Sequence, residues 1–236
     1  MRVLALDSTT RAGSVALVEN GVVMDERAGD PSRTHGERLP AELAALGAAW
    51  PTVDVFAVAS GPGSFTGLRI GIATMQGLAL VTGARVAGIS ALEALAQLVS
   101  RDVPEGSLVA SWVDAQRGEV FSALYRTTSA PLYSAERLVQ LEAPAVASPV
   151  FTLQSWATYD LKTATFAGDG ALRYASMLSV SDSRPRVAPA TLLAGAIGCL
   201  AEAGASRGLA ASPASIHPLY VRRPDAELYR EHTQSR

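Results

Sequence analysis

Apolar runs of strand length alternate with longer stretches of helical periodicity along the chain. Residues 3–6 run apolar into Asp7, and a polar turn, Ser8-Thr9-Thr10-Arg11-Ala12-Gly13, separates them from a second β-prone run at 14–18. Asn20-Gly21, a dipeptide that favours the tight turns of hairpins, precedes a third run at 22–24. This pattern predicts a β-meander. A polar loop at 29–33 leads to a helix predicted over 35–50, then a strand over 53–59. A helix over 66–82, a short strand at 86–89 and a helix capped by Ser90 and reaching about Ser100 follow.

Around Pro104-Glu105-Gly106 the pattern restarts. An apolar run at 108–113 meets Asp114, the turn Ala115-Gln116-Arg117-Gly118 follows, and residues 120–125 return. Strand, Asp, an Arg-containing turn ending in Gly, and a return strand repeat the order of residues 3–18, which predicts a duplicated α/β architecture. The expected division is an N-terminal subdomain at 1–105, a smaller one at 106–215, and a tail at 216–236 returning toward the first. Within the second, 165–167 should be a strand running into the tight turn Gly168-Asp169-Gly170. Residues 190–203 read as a buried helix, and 216–224 as extended chain.

Composition narrows the class. At 236 residues, 48% hydrophobic and a net charge of −2, the chain has material for a real core and is no disordered polymer. Near neutrality also argues against bulk electrostatic binding to nucleic acid. The lone Cys199 allows no internal disulfide and reads as a small buried hydrophobe. The N-terminus lacks a signal-peptide core, and the 190–203 stretch is too short for a bilayer and carries Glu202, so a cytoplasmic protein is expected. Lys162 is the sole lysine, so arginines carry no special meaning merely for not being lysine.

The informative stretch is Ser60-Gly61-Pro62-Gly63-Ser64-Phe65-Thr66-Gly67-Leu68-Arg69-Ile70-Gly71. It reads as a strand end, a glycine-rich turn and a helix opened by Ser64 or Thr66 as N-cap. Free N–H groups at such a helix start can hold an anion. No Lys follows Gly67, however, so the Walker pattern is missing. Together with LALDSTTRAGSVAL before it, VDAQRGEVFSALY and AGDGA after it, and PLYVRRPDAE at the end, this stretch resembles the TsaB family, over nearly the whole chain. The motif loop is Gly61, Pro62, Gly63, Ser64, Phe65, Thr66, Gly67 and Arg69.

The resemblance implies an actin-like, sugar-kinase-like ATPase fold: two ribonuclease H-like subdomains, each a mixed β-sheet flanked by helices. It implies the partner subunit in bacterial synthesis of threonylcarbamoyl-adenosine in tRNA, not the peptidase suggested by the older glycoprotease-like label. In the catalytic relative, TsaD, a His-x-Glu-x-His helix binds metal; here the matching positions are Ala91, Glu93 and Leu95, so neither imidazole is present. Kinases of this fold place Gly in Asp-x-Gly-[Thr/Ser] turns, where the backbone must approach a phosphate closely. Here Thr9 follows Asp7 and Gln116 follows Asp114 at that position, leaving two degenerate phosphate loops whose Asp residues should hydrogen-bond their own turns. No metal and no cofactor are expected, and no catalytic residue is assigned.

The helices offer surfaces instead. On a helical wheel Leu39, Leu43, Leu46 and Trp50 form one stripe, and Ala41, Ala44, Ala45 and Ala48 the opposite one. That second stripe is either a partner face or a solvated row of good helix formers. The next helix holds Gly67, Gly71 and Gly77, each costing roughly 1 kcal/mol relative to Ala, which close approach of another element should offset. The expected partner face comprises Glu37, Ala41, Ala44, Ala45, Ala48, Gly67, Gly71, Thr74, Met75 and Leu78. By the resemblance this face meets TsaD in a helix bundle, or a second copy when alone; the ATPase TsaE joins the pair, and tRNA is met through the complex. Arg222-Arg223 could touch tRNA or be a solvated surface. The competing readings are a kinase-like ATPase, a peptidase and a stand-alone regulatory homodimer.

Overall fold

The computed structural model describes residues 1–46, 52–178, 185–189 and 191–222. Strands β1 (Arg2–Asp7), β2 (Ser14–Glu19) and β3 (Val22–Ala28) form an antiparallel meander, with Asn20 and Gly21 both at positive φ in the β2–β3 turn. Helix α1 (His35–Ala45) leads to β4 (Val55–Gly61), parallel to β1. Helix α2 (Phe65–Thr82), β5 (Arg85–Ser90) and α3 (Ala91–Ser100) complete the first unit. The strand order is β3-β2-β1-β4-β5.

The second unit repeats it. Strands β6 (Leu108–Asp114), β7 (Val120–Thr127) and β8 (Leu138–Ala147) form the second meander. Helix α4 (Pro149–Ser155), β9 (Thr165–Ala167), helices α5 (Asp169–Arg173) and α6 (Ala175–Leu178), β10 (Arg186–Val187) and α7 (Ala194–Ala205) follow. Its order, β10-β9-β6-β7-β8, is the first order with each strand replaced by its counterpart. Among the described residues the duplication read from two hairpins thus extends to all ten strands, and both sheets are mixed, with helices on their faces. The hydrophobic pattern gave no element to 138–155, where β8 and α4 lie.

The final helix of each unit crosses to the other. α3 packs on β6, while α7 packs on β1, β2 and β4 of the first sheet. Gly198 makes this possible, since a Cβ there would overlap Val18. Ser14 Oγ accepts from the N–H groups of Leu193 and Ala194 at 3.2 and 3.0 Å, and Glu26 accepts from Gly195 N–H at 2.7 Å, so side chains of the first sheet cap the helix that closes it. The central core between the sheets joins Val3, Ala5, Val18, Leu92, Leu95, Val109, Phe121, Ile197 and Leu200. Outside it, one core lies under α1 and α2, and another, around Trp112, Trp156 and Phe166, under α4 and α5. Of the helix predicted over 190–203, residue 190 lies outside the described residues, and α7 begins at Ala194, after Thr191, Leu192 and Leu193.

α1 opens with a reciprocal cap: Thr34 donates from N–H and Oγ to Glu37 Oε2 at 2.8 and 2.7 Å. The predicted continuation to Trp50, and with it Ala48 in the partner stripe, lies outside the described residues, as does Arg223. α2 has the length and mean hydropathy, 1.2, of a membrane span, yet a third of it is buried here against its own sheet. Leu68, Ile72, Met75 and Ala79 are its buried apolar side chains, and the last three join it to the outer core.

Candidate functional site

Between the two units opens a cleft of about 1010 Å³, walled by the β1–β2 turn, the loop into α2, the β6–β7 turn, Asp169 and residues 219–222. Of the two carboxylates expected at degenerate phosphate loops, Asp114 lines this cleft and Asp7 a smaller cavity of about 430 Å³ beside Leu95 and Leu193; each binds its own turn. Asp7 Oδ1 accepts from the N–H and Oγ–H of Thr9 at 2.8 and 2.6 Å, and Asp114 accepts from the N–H and Nε2 of Gln116 at 3.0 and 2.9 Å. Asp7 is buried, and burial raises its carboxyl above the usual range despite the bonds from Thr9. Asp114 faces the cleft, and Arg173 pairs with it at 2.7 Å.

The loop into α2 explains its glycines one by one. Gly61 stands at φ +123°, where L residues are rare, and a Cβ would meet Leu219 O at 2.8 Å. Gly63 lies against Thr9, whose carbonyl accepts from Ser64 N–H at 2.8 Å. Of the two candidate caps, Ser64 takes the role: its Oγ accepts from Gly67 N–H at 3.2 Å. Thr66 is exposed in the first turn, and Pro62 is buried. Phe65 is 44% exposed and stacks on Tyr220, with ring centroids 5.2 Å apart. The Arg69 guanidinium lies 3.9 Å from the Phe65 ring and donates to Tyr220 Oη at 2.9 Å.

Two glycines expected on the partner face turn inward. A Cβ on Gly67 would overlap the Ser8 carbonyl, and one on Gly71 would overlap Ser8 Oγ, so the close approach that offsets their helix cost is made by the β1–β2 turn of the same chain. Met75 is fully buried in the outer core and is not available to a partner. Thr74 and Leu78 are half-buried, with Thr74 Oγ donating to Ile70 O at 2.7 Å. Glu37 is exposed, but its carboxylate is held by Thr34. Ala41, Ala44 and Ala45 are exposed on α1, opposite buried Leu39 and Leu43. The exposed side of α2 instead carries Ala73, Gly77, Leu80 at 71% and Val81 at 88% exposure, and nothing lies within 4 Å of a Cβ built on Gly77.

One residue of consequence looked like an ordinary polar helix position. Arg38 is 1% exposed; it donates to both oxygens of Glu42 at 2.8 and 2.6 Å and to the Ala12 carbonyl, tying α1 to the β1–β2 turn. Gly29 is required beside it, since a Cβ there would overlap the guanidinium. His35, 2.7 Å from Arg38 through Nδ1, lines the cleft, and burial followed by the Arg38 charge lowers its pKa. The signal was available: Glu42 stands four residues on, and Arg38 neighbours the buried Leu39–Leu43 stripe.

At the positions matching a metal helix, Ala91 and Leu95 are buried in the central core, and Glu93 has its carboxyl raised by burial. Among the described residues no three His, Cys, Asp or Glu side chains gather as metal ligands would. Cys199 is buried on α7, its thiol pushed up to about 11 by burial and nearby carboxylates.

The profile of a family described as TsaD, tRNA N6-adenosine threonylcarbamoyltransferase, matches residues 30–150. The tRNA threonylcarbamoyladenosine biosynthesis protein TsaB of Escherichia coli K12 is 37% identical over 150 residues, 62% of this chain and 64% of that protein. The chain is a TsaB-like member of this family. YeaZ from Pseudomonas aeruginosa superposes on the TsaB-like fold with a TM-score of 0.73 at 30% identity, over 93% of this chain and 99% of that one. An inorganic polyphosphate/ATP-glucomannokinase from Arthrobacter sp. strain KM shares the fold, with a TM-score of 0.51 at 14% identity over 87% of this chain and 99% of that one. The actin-like, sugar-kinase-like architecture therefore stands.

Proposed function

We propose that this TsaB-like chain is the non-catalytic pairing subunit of a tRNA threonylcarbamoyladenosine synthesis complex. Its helical face docks on a TsaD-type catalytic paralogue, with the TsaE ATPase joining the pair, and so orders the enzyme that transfers threonylcarbamoyl to the N6 amine of adenosine in ANN-reading tRNA. This chain supplies binding energy and a conformational bias, not reacting groups. Family membership supports the pathway. The observation that carries the pairing role is the uncovered apolar surface on two adjacent helices, Ala41, Ala44 and Ala45 on α1 with Ala73, Leu80 and Val81 on α2.

The corrected face changes the choice of test. Gly71→Arg would push against Ser8 and unfold the chain, whereas Ala45→Arg and Val81→Arg point outward. Each should leave the melting curve of the isolated chain intact and abolish the complex with TsaD on gel filtration. Modified adenosine, measured with TsaD, TsaE, threonylcarbamoyl-adenylate and tRNA, should require the wild-type chain and fall with both variants. A complex that survives both substitutions overturns the face; modification independent of this chain overturns the role.

A second reading, a nucleotide-binding kinase-like protein, draws on the cleft, whose volume suits a small molecule. Against it stand the two turns, each closed on its own aspartate. Saturable ATP binding to the isolated chain, measured by calorimetry, would favour that reading.

A further inference from the structure

The chain after α7 takes a long route over both units. Ala211 pairs with Val86 at the edge of β5, and Gln76 Nε2 on α2 donates to the carbonyls of Pro213 and Ile216 at 2.7 and 3.1 Å. Leu219 N–H then donates to Ser60 O at 2.7 Å, and Tyr220 stacks on Phe65 while accepting from Arg69. Two residues later Arg222 leaves the first unit. It donates to the Ala115 carbonyl at 2.9 Å, pairs with Glu119 and lies 5.6 Å from the Phe121 ring, all on the β6–β7 hairpin.

We propose that residues 219–222 are a strap that fixes the opening of the cleft. The two units are joined at the base by α3 and α7, which pack on each other and on opposite sheets. Such a joint permits the sheets to hinge, as two-lobed folds do. The strap is fastened on one side to the end of β4 and the first turn of α2, and on the other to the β6–β7 turn. Opening the cleft would therefore break the Arg222 contacts with Ala115, Glu119 and Phe121, because the Tyr220 side is held by a stack, a side-chain hydrogen bond and a backbone hydrogen bond. Gly61 fits this function: the strap passes so close that a side chain at 61 would displace the Leu219 carbonyl. The device concerns the chain's own two units and requires neither a partner nor a nucleotide.

The test is a distance across the cleft in the full-length chain. Spin labels on Ser32→Cys and Gln154→Cys, both exposed, report on the first and second units. Cys199, buried, stays unlabelled. Double electron–electron resonance should give a narrow distribution for the otherwise wild-type protein and a longer, broader one for Arg222→Ala. Glu119→Gln, which keeps the Ala115 and Phe121 contacts, should shift the distribution in the same direction but less, and serves as the test if Arg222→Ala does not fold. Tyr220→Phe, which retains the stack, should leave it unchanged. Folded Arg222→Ala or Glu119→Gln protein with the wild-type distribution overturns the strap, and so does a wild-type distribution that is already broad.

Discussion

The two units share one strand order and differ in what covers them. Where the first sheet carries α2, eighteen residues long, the second has α5 and α6, of five and four residues. The turns differ in the same sense. Asp7 is buried, with Arg38 bracing its turn, whereas Asp114 faces the cleft with an exposed arginine for a partner. Yet both sheets end their fourth strand in the same way, at Gly61 and Gly168, each at a φ that L residues rarely adopt and each pressed against backbone. The sheets keep what topology demands of them. The outer layer is free to specialise, and in the first unit it becomes a braced platform with an uncovered apolar side.

The contrast is sharpest at the arginines. Arg38→Ala should cost about 3–5 kcal/mol in urea-unfolding free energy, the range for removing one partner of a buried pair. Arg173→Ala, its counterpart at the second turn, should leave the midpoint where it was. Equal losses would mean that both turns are braced alike.

Next comes the platform itself. Gly71→Ala forces a methyl onto Ser8 and should destabilise by about 1–3 kcal/mol, as overpacking does. Gly77→Ala meets open space and should stabilise by about 0.5–1 kcal/mol, the helix-propensity gain. A stabilised Gly71→Ala protein would show that the turn does not press on α2.

The smallest effect is a pH dependence. Asp7 has a folded pKa above its unfolded value of about 3.9. As pH falls, the folded state therefore takes up this proton first, and the stability withheld by a buried carboxylate is regained between the raised folded value and the unfolded one. Asp7→Asn keeps the acceptor oxygen without the charge. Its stability advantage over wild type should be largest at neutral pH and shrink toward pH 4; an advantage independent of pH would assign the burial cost elsewhere.

Much of this arrangement was legible in the residues. The hairpin signals at 20–21 and the repeat of Asp before an Arg- and Gly-containing turn foretold the duplicated sheets, because alternation and turn chemistry are local. β8 gives no clear signal, since LVQLEAPAVA is an edge strand, half wetted along its length, with Pro144 inside it. Of the three glycines of α2 expected to mark close approach, Gly67 and Gly71 do so, and Gly77 meets open space. Sequence alone does not tell an internal neighbour from an external one, because a missing Cβ serves Ser8 and a partner helix equally. The burial of Arg38 is not legible for a related reason: it depends on a turn twenty-six residues earlier.

The crossing of α7 has a consequence for how the protein comes into being. Ser14 waits for the backbone of Ala194, 180 residues further on, and Val18 for Gly198. At about 5–20 residues per second of synthesis, the first sheet spends about 10–35 s with one apolar face uncovered. During that interval the nascent N-terminal unit is a chaperone substrate by construction, and a chain truncated before Ala194 never leaves that condition.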